Sequence, residues 1–267
     1  MDVARGASGA CSLLGLTVTP STPVIGAQVS GVDLRTPLTR DLRAELYRLL
    51  LRHRVLFFRD QHLSTQQHIA FAEAFGPTLT FHSVVPADPE HPEVHDVHGS
   101  TVGWHIDASG LTEPPVATLL RAVEIPPTGG DTVWASGVAS YDGLPRDLKD
   151  RLERKYVTHT AAKAGRPIVA HHLVGAHPDT GERYLYINLA PWVDPVILGM
   201  DRSNSDALVK ELRHEYLRPE YHVRFRWSTG AVAMWDNRVV QHTGISDYGN
   251  GVDRHLKRIC LARFHEQ

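Results

Sequence analysis

Cysteine is scarce in this chain of 267 residues, which contains only Cys11 and Cys260. The two cysteines lie far apart in the sequence and match none of the short paired spacings by which cysteines hold zinc. We therefore expect two free thiols rather than a zinc site, as is usual in a reducing cytosol. The expected location is cytoplasmic.

Long hydrophobic runs are also lacking. No segment approaches the roughly 18 consecutive apolar residues that a membrane span requires, and residues 1–16 lack the apolar core of a signal peptide. Residues 1–15 are rich in glycine, alanine and serine, and we expect them to form a disordered tail. Because no repeat, low-complexity tract or linker follows, residues 16–267 are expected to form one domain.

The chain has no marked excess of either charge, since 28 Lys and Arg face 30 Asp and Glu for a formal net charge of −2. This balance gives no electrostatic basis for binding nucleic acid or an anionic membrane. Any affinity for an anion must instead come from individually placed arginines. The hydrophobic content of 42% and charged content of 22% are ordinary for a soluble globular protein.

Periodicity predicts a β-rich chain interrupted by helices, of which the first two can be capped by Thr39 and Ser64. The helices are predicted over residues 40–53, from Ser64 to a stop at Gly76-Pro77, and over 145–155 and 205–217. The strands are predicted in a hairpin within 16–32 and over 55–58, 116–125, 184–188, 221–227, 231–235 and 254–264. This pattern favours a mainly β (α+β) fold, a single barrel or jelly roll with helical insertions.

His105-Ile106-Asp107 is the most informative stretch, together with His242 far downstream. A His-x-Asp pair and a remote histidine are the ligand set of a two-histidine, one-carboxylate iron(II) site. On an extended strand, His105 and Asp107 point to the same side about 6–7 Å apart, so both can reach one cation. His242 would then come from a facing strand. Such a site leaves one face of the metal open for a co-substrate and O2, as an oxygenase requires.

Other histidines match less specific patterns. The His-Pro-Glu at residues 91–93 lies in a loop-like stretch, and the His-Pro-Asp at 177–179 opens a Pro/Asp/Gly turn that we interpret as a surface turn. Asp236-Asn237 is interpreted as a turn that positions His242. The histidines interpreted as polar or loop residues are His95, His98, His171 and His172.

Several separated motifs occur in one order. Gly129-Gly130-Asp131-Thr132 follows the His-x-Asp pair, Trp235-Asp236-Asn237-Arg238 precedes His242, and two arginines, Arg254 and Arg258, open the last predicted strand. This order resembles the taurine dioxygenase and phenoxyacetate-herbicide dioxygenase family of Fe(II)/2-oxoglutarate oxygenases, from about Ile25 to about Ala262. The resemblance implies a double-stranded β-helix (jelly-roll) core.

The same resemblance implies a role for each site residue. The iron ligands would be His105, Asp107 and His242. Thr132 would hydrogen-bond 2-oxoglutarate, and Arg254 would pair with its distal carboxylate. Arg258 would hold the anionic group of the substrate, and His82 would also contact the substrate.

Strand parity gives separate support for the two arginines. Arg254 and Arg258 are four residues apart and share a face of a strand, whereas Lys257 points the other way. Leu256 and Cys260 have the same parity as the arginines, which indicates that this face turns inward. Inward-facing arginines need an anion, and a guanidinium is suited to bind carboxylate or sulfonate oxygens bidentately.

The substrate region departs from the taurine enzyme. Val85 and Thr101 fall where that enzyme has a tyrosine and an asparagine, so taurine is a doubtful substrate. A bulkier or less polar molecule with one acidic group fits better. The predicted reaction is hydroxylation of a C–H bond in a sulfonate, aryloxyalkanoate or other carboxylate, with C–X cleavage where that carbon bears a heteroatom, and with release of succinate and CO2.

Two alternatives stay open at this point. One is a biosynthetic tailoring oxygenase that acts on an amino acid or natural-product intermediate. The other is a jelly-roll binding protein without catalysis, which the intact ligand triad disfavours. Because Asp107 fills the position that halogenases keep free for chloride, hydroxylation is expected rather than halogenation. A homo-oligomer is also left open.

Overall fold

The computed structural model describes residues 14–81, 85–161, 168–249 and 251–266. The strands among them are β1 (Thr17–Pro20), β2 (Ala27–Ser30), β3 (Val55–Phe58), β4 (Val94–His98), β5 (Ala117–Glu124), β6 (Thr132–Ser136), β7 (Tyr156–Ala161), β8 (Ala170–His172), β9 (Val174–Ala176), β10 (Arg183–Leu185), β11 (Val193–Ile197), β12 (His222–Phe225), β13 (Val232–Asp236), β14 (Val240–Gly244) and β15 (His255–Leu261). The α-helices are α1 (Arg40–His53), α2 (Thr65–Glu73), α3 (Gly137–Asp142), α4 (Arg146–Leu152) and α5 (Arg202–Tyr216), with a 3-10 turn at Pro219–Tyr221.

Two sheets enclose the apolar interior that surrounds the site. The larger has the strand order β1-β2-β3-β13-β5-β15-β4, and the smaller has the order β12-β6-β14. Phe57, Leu120 and Trp235 from the larger sheet pack in one cluster with Trp134 and Phe225 from the smaller sheet. The predicted mainly β fold with a jelly-roll core and helical insertions is confirmed.

The larger sheet is covered by helices on its other face. Alternate residues of its central strands, such as Leu56 and Met234, turn away from the interior and pack with Leu46 of α1 and Phe71 of α2. Successive side chains of a strand point to opposite faces, so the all-apolar strand β3 serves both clusters. Helices α1 and α2 therefore pack against the face of the larger sheet that is opposite to the candidate site.

Both N-terminal helices begin where local sequence predicted. The Thr39 hydroxyl accepts a hydrogen bond from the first turn of α1, which ends at Arg54 in the left-handed region with φ 65°. Ser64 and Gln67 form a capping box at the start of α2. These caps satisfy backbone groups that a helix end leaves without intrahelical partners.

Gly76 was predicted to stop α2, but the helix already ends at Glu73. Gly76 instead allows the following segment to lie directly against the end of β15. A Cβ added to Gly76 would lie 1.9 Å from the backbone oxygen of Arg263. Beside it, the Ala262 N–H donates to the Pro77 carbonyl at 2.9 Å.

The elements that were predicted differ from the structure mainly at their ends, whereas several strands and the short helix α3 were not predicted. The predicted hairpin is the antiparallel pair β1–β2. The strand predicted over 184–188 is β10, which ends at Leu185, so the prediction is wrong for Tyr186 to Asn188. Seven of the described strands were not predicted, namely β4, β6, β7, β8, β9, β11 and β14. In β4 and β14, polar and apolar residues do not alternate regularly, so periodicity gave no strand signal.

Two expectations drawn from composition can be compared with the structure. Cys260 is a free, buried cysteine, and burial raises the pKa of its thiol to about 12. Cys11 lies outside the described residues. Among the described helices, none is long and apolar enough to cross a membrane.

Candidate metal centre

His105 and His242 are joined through their backbones. They form an isolated antiparallel bridge, in which each N–H donates to the other's carbonyl at 2.9 Å. The two histidines therefore lie on directly paired segments. His242 is on a strand, β14, but the prediction that this strand faces the His105 segment is wrong, because the two are hydrogen-bonded neighbours. The pairing brings their rings to a centroid distance of 4.0 Å.

Asp107 does not continue a strand from His105, as had been predicted, but begins a turn. The side chain of Asn237, in the turn between β13 and β14, holds the backbone of Asp107 in this turn. Its Oδ1 accepts from the Asp107 N–H at 3.1 Å, and its Nδ2 donates to the Asp107 carbonyl at 3.0 Å. The predicted Asp236-Asn237 turn thus exists, but Asn237 hydrogen-bonds Asp107 rather than His242.

The three predicted ligands converge on one buried point. The Asp107 carboxylate has Oδ1 at 3.9 Å from His105 Nε2 and Oδ2 at 3.8 Å from His242 Nε2. His105 Nδ1 lies 2.7 Å from the Gly103 carbonyl. If that nitrogen donates, the Nε2 lone pair is directed toward the carboxylate. Oδ2 of Asp107 accepts no hydrogen bond from the described residues, and a buried unpaired carboxylate oxygen is costly without a cation.

The protonation states suit a divalent metal. Burial lowers the pKa of His105, and lowers that of His242 to about 3, so both imidazoles are neutral. Burial alone would raise the pKa of Asp107, but Arg258 and the two histidines outweigh it and lower the pKa to about 2. Neutral imidazole and ionised carboxylate are the forms that bind metals. The residues present therefore fit an iron(II) ion.

Arg254 lies beside this triad and is 4% exposed. Its guanidinium donates to the Gly130 and Gly99 carbonyls, both at 2.7 Å, and to the Thr132 hydroxyl oxygen at 3.2 Å. No carboxylate of the described residues forms a salt bridge with it, and burial lowers its pKa to about 10. A buried guanidinium with only neutral acceptors is ready to pair with an anion.

Thr132, the first residue of β6, is oriented by the same contacts. Its hydroxyl oxygen accepts from Arg254 at 3.2 Å and from Trp227 Nε1 at 2.9 Å. Because a hydroxyl has two acceptor lone pairs and one hydrogen, this leaves the hydrogen available for donation. Thr132 and Arg254 therefore present two adjacent donors for one carboxylate.

Arg258 lines the same cavity as these groups and donates to Asp107 Oδ1 at 2.8 Å. A single cavity contains most of the predicted site residues, and both arginines line it, as their parity predicted. It is lined by Val85, Val97, Thr101, His105, Leu120, Thr132, His242, Gly244, Arg254 and Arg258. His82, the remaining predicted substrate residue, lies outside the described residues.

All four histidines interpreted as polar or loop residues lie on strands. His95 and His98 are on β4, and His171 and His172 are on β8. His95 is 1% exposed and lies directly opposite Arg258 in the β4–β15 pairing. Its strand was not predicted, so sequence periodicity gave no sign that its side chain turns inward.

The turn predicted after His177 exists at residues 178–180, but His177 itself is buried. Its Nδ1 accepts from the N–H groups of Asp179 and Thr180, so Nε2 carries the hydrogen that it donates to Asp236 at 2.9 Å. Asp236 also pairs with Arg238. The surface interpretation of His177 was wrong, because its ring supports the turn that carries Asn237.

Asn188 is a further residue that the sequence analysis missed. Its Nδ2 donates to the Ile106 carbonyl at 3.2 Å and to Ser109 Oγ at 2.8 Å. These bonds hold the turn that follows His105. Asn188 is 82 residues away from Ile106 in an irregular segment, so no local signal could have identified it.

The chain belongs to the family of iron(II)- and 2-oxoglutarate-dependent dioxygenases described as "Taurine catabolism dioxygenase TauD, TfdA family", whose model matches residues 17–260. It is thus an oxidoreductase that uses Fe(II), 2-oxoglutarate, O2 and a small-molecule substrate. This membership excludes the binding protein without catalysis.

Three relatives match most of the chain. An α-ketoglutarate-dependent sulfate ester dioxygenase of Pseudomonas putida is 33% identical, over 93% of this chain and 90% of its own. An alkylsulfatase of Acinetobacter baylyi is 32% identical, over 89% and 82%. An α-ketoglutarate-dependent 2,4-dichlorophenoxyacetate dioxygenase of Cupriavidus pinatubonensis is 31% identical, over 92% and 97%.

Solved structures agree with this assignment. A taurine dioxygenase from Burkholderia xenovorans superposes with a TM-score of 0.84 at 37% identity, covering 94% of this chain and 90% of its own. AAD-2, solved with Mn(II) and N-oxalylglycine, gives a TM-score of 0.80 at 26% identity, over 94% and 98%.

Proposed function

We propose that this enzyme hydroxylates a C–H bond of a small acidic substrate with an apolar body, and that His105, Asp107 and His242 hold its iron. The observation that carries the proposal is a buried triad beside a cavity that is lined by its two histidines and by both arginines. When bound, iron couples the oxidative decarboxylation of 2-oxoglutarate by O2 to oxygen transfer onto the substrate. The protein residues bind and orient the two organic molecules.

Arg254 and Thr132 are proposed to bind the distal carboxylate of 2-oxoglutarate. The support is the buried guanidinium without a carboxylate partner and the hydroxyl hydrogen directed by two donors. A charge-assisted pair in such a dry site is stronger than one in water. The carbonyls of Gly99 and Gly130 keep the guanidinium in place.

Arg258 is proposed to bind the acidic group of the substrate. It now contacts Asp107 Oδ1, and a bidentate substrate anion would draw the guanidinium away from that oxygen. Val85, Val97 and Leu120 line the same cavity and form an apolar wall for the substrate body. The relatives whose names specify sulfate esters or 2,4-dichlorophenoxyacetate also act on molecules with an anionic group.

The outcome of hydroxylation depends on what the hydroxylated carbon carries. In a sulfate ester or an aryloxyalkanoate that carbon bears an oxygen substituent, so the product hemiacetal collapses with C–O cleavage. A sulfonate collapses in the same way with C–S cleavage. The three substrate classes therefore need one hydroxylation and no further catalytic group.

A substrate panel tests this proposal. Alkyl sulfates, aryloxyalkanoates, longer alkylsulfonates, taurine and amino acids should be compared by substrate-stimulated succinate release at saturating 2-oxoglutarate. We expect taurine to be poor, because Val85 and Thr101 offer fewer hydrogen bonds to a small amine, each worth about 1–3 kcal/mol when lost. Taurine as the best coupled substrate would refute the pocket interpretation, and selective turnover of amino acids would favour a tailoring oxygenase.

The iron assignment is tested separately by His105→Ala, Asp107→Ala and His242→Ala. Each substitution removes one of three ligands, so we expect loss of bound Fe(II) and of turnover. The exposed His214→Ala on α5 is the matched control and should retain both. Full activity in any one ligand variant would remove that residue from the metal site.

A further inference from the structure

A second cluster of two histidines and one carboxylate lies on the opposite face of β4 and β15 from the proposed active site. His98 is paired with His255, and Asp96 is paired with Lys257, in the antiparallel register. Because partners in register point to the same side, His98, His255 and Asp96 share one face. The proposed reaction uses none of these three residues.

The geometry of this cluster points to a metal ion. We propose that Asp96, His98 and His255 bind one divalent transition-metal ion, such as Zn2+, at the surface of the larger sheet. One ligand atom from each residue lies within 4.8 Å of the others. The His98 and His255 rings stack with centroids 4.3 Å apart and planes inclined by 12°, and His255 Nε2 lies 2.7 Å from Asp96 Oδ1.

The donor set determines the class of metal. Two imidazoles and one carboxylate are suited to Zn2+, Ni2+ or Cu2+ rather than to Ca2+ or Mg2+, which prefer oxygen ligands. His98 is exposed, while Asp96 and His255 are each 20% exposed at the side chain. An ion can therefore enter from solvent and complete its coordination with water, without passing through the active site.

Lys257 is the competing cation at this cluster. Its Nζ lies 3.3 Å from Asp96 Oδ1, but it lies closer to Asp88 Oδ2, at 2.6 Å. When Asp96 turns to a metal ion, Lys257 keeps Asp88 as its partner and no buried charge is left alone. The lysine therefore tunes the affinity of the site without blocking it.

The cluster adjoins the end of β15 that carries Arg254. The Gly99 N–H, next to His98, donates to the Arg254 carbonyl at 2.8 Å, and the Arg254 guanidinium donates to the Gly99 carbonyl at 2.7 Å. An ion bound between β4 and β15 would thus hold the edge strand β4 against β15, which contains Arg258 and directly follows Arg254. Since it binds only where the strands are paired, it stabilises the folded state.

Zinc stoichiometry of the untagged full chain tests the proposal, measured by equilibrium dialysis. We expect two Zn2+ per wild-type chain, one after His98→Ala, one after His105→Ala, and none after both. His214→Ala, an exposed histidine on α5, should retain two. Equal zinc stoichiometry in the wild type and in His98→Ala, whether one or two ions per chain, would overturn the second site. A decrease in zinc caused by His105→Ala reports the active site, and a decrease caused by His98→Ala reports the second site. Failure of one site can therefore be distinguished from failure of the other.

Thermal unfolding of the His105→Ala chain gives a second readout that does not depend on turnover. We expect Zn2+ to raise its melting temperature, and the rise to vanish when His98→Ala is added. Asp96→Asn, which keeps the shape of the side chain, should weaken zinc at this site by at least about tenfold. An equal zinc-dependent rise with and without His98 would refute the site.

Discussion

Asn237 orients Asp107 through hydrogen bonds to its backbone N–H and carbonyl and makes none to its carboxylate. Asn237→Ala removes two donors and one acceptor from a fully buried region. We expect Fe(II) affinity to fall about 10–100-fold, as for other residues that orient metal ligands. Asn204→Ala, on the exposed start of α5, is the control. Equal Fe(II) affinity in Asn237→Ala and the wild type would show that the turn holds Asp107 unaided.

The two cavity arginines are expected to act on different molecules. Arg254→Ala should mainly raise the KM for 2-oxoglutarate, and Arg258→Ala that for the acidic substrate. Each loss corresponds to about 2–5 kcal/mol, because the partner charge stays buried. Steady-state kinetics with each molecule varied in turn measures the effects.

Because Arg258 also donates to Asp107, its alanine variant removes a hydrogen bond from a proposed metal ligand as well. Arg258→Lys keeps a positive charge there but loses the forked geometry. The Arg258→Lys enzyme should retain the Fe(II) affinity of the wild type but, like Arg258→Ala, should bind the acidic substrate more weakly. The exposed Arg52→Ala should leave both constants unchanged. If both arginine variants raise the same constant alone, the proposed division of roles is wrong.

At the scale of elements, the junction between α2 and β15 depends on a close backbone approach. Gly76→Ala places a methyl group 1.9 Å from the Arg263 carbonyl oxygen, so the strand end must shift. We expect a loss of about 1–3 kcal/mol in the free energy of unfolding. Urea unfolding should show no comparable loss for Gly249→Ala, whose added Cβ would meet only Val252, at 3.8 Å.

Local signals identified the elements whose ends are set locally. The bounds of α1 follow from Thr39 and the change of backbone conformation at Arg54, both within the segment itself. The turn at Asp107 could not be predicted, because Asn237 imposes it from 130 residues away. The inward position of His95 likewise depends on its pairing with Arg258. The proposed site residues were identified from motif order, whereas the residues that orient them depend on tertiary contacts.

The whole molecule should lose stability in acid partly through Asp236. Burial alone would raise the pKa of its carboxyl, but Arg238 and His177 outweigh it and lower the pKa to about 2. A lowered folded pKa contributes stability above the ordinary value of about 4 and loses it as pH falls toward 2. The contribution is about 2 kcal/mol at neutral pH.

Asp236→Asn separates this effect from general acid unfolding. The free energy of unfolding should be lower than that of the wild type at pH 6, and the difference should narrow toward pH 3. The side chains that contact Asp236 are Arg238 and His177, and Asp179 lies beside both of them. A difference that stays constant between pH 6 and pH 3 would show that Asp236 does not titrate in this way.

The backbone bridge between His105 and His242 also constrains when the enzyme can acquire its metal. The two residues are 242 − 105 = 137 positions apart, and each fixes the other's backbone. A chain emerging from the ribosome carries two of the proposed ligands, His105 and Asp107, long before His242 is synthesised. Such distant contacts form late in folding. Iron loading is therefore expected only after β14 has been synthesised and paired with the segment that contains His105.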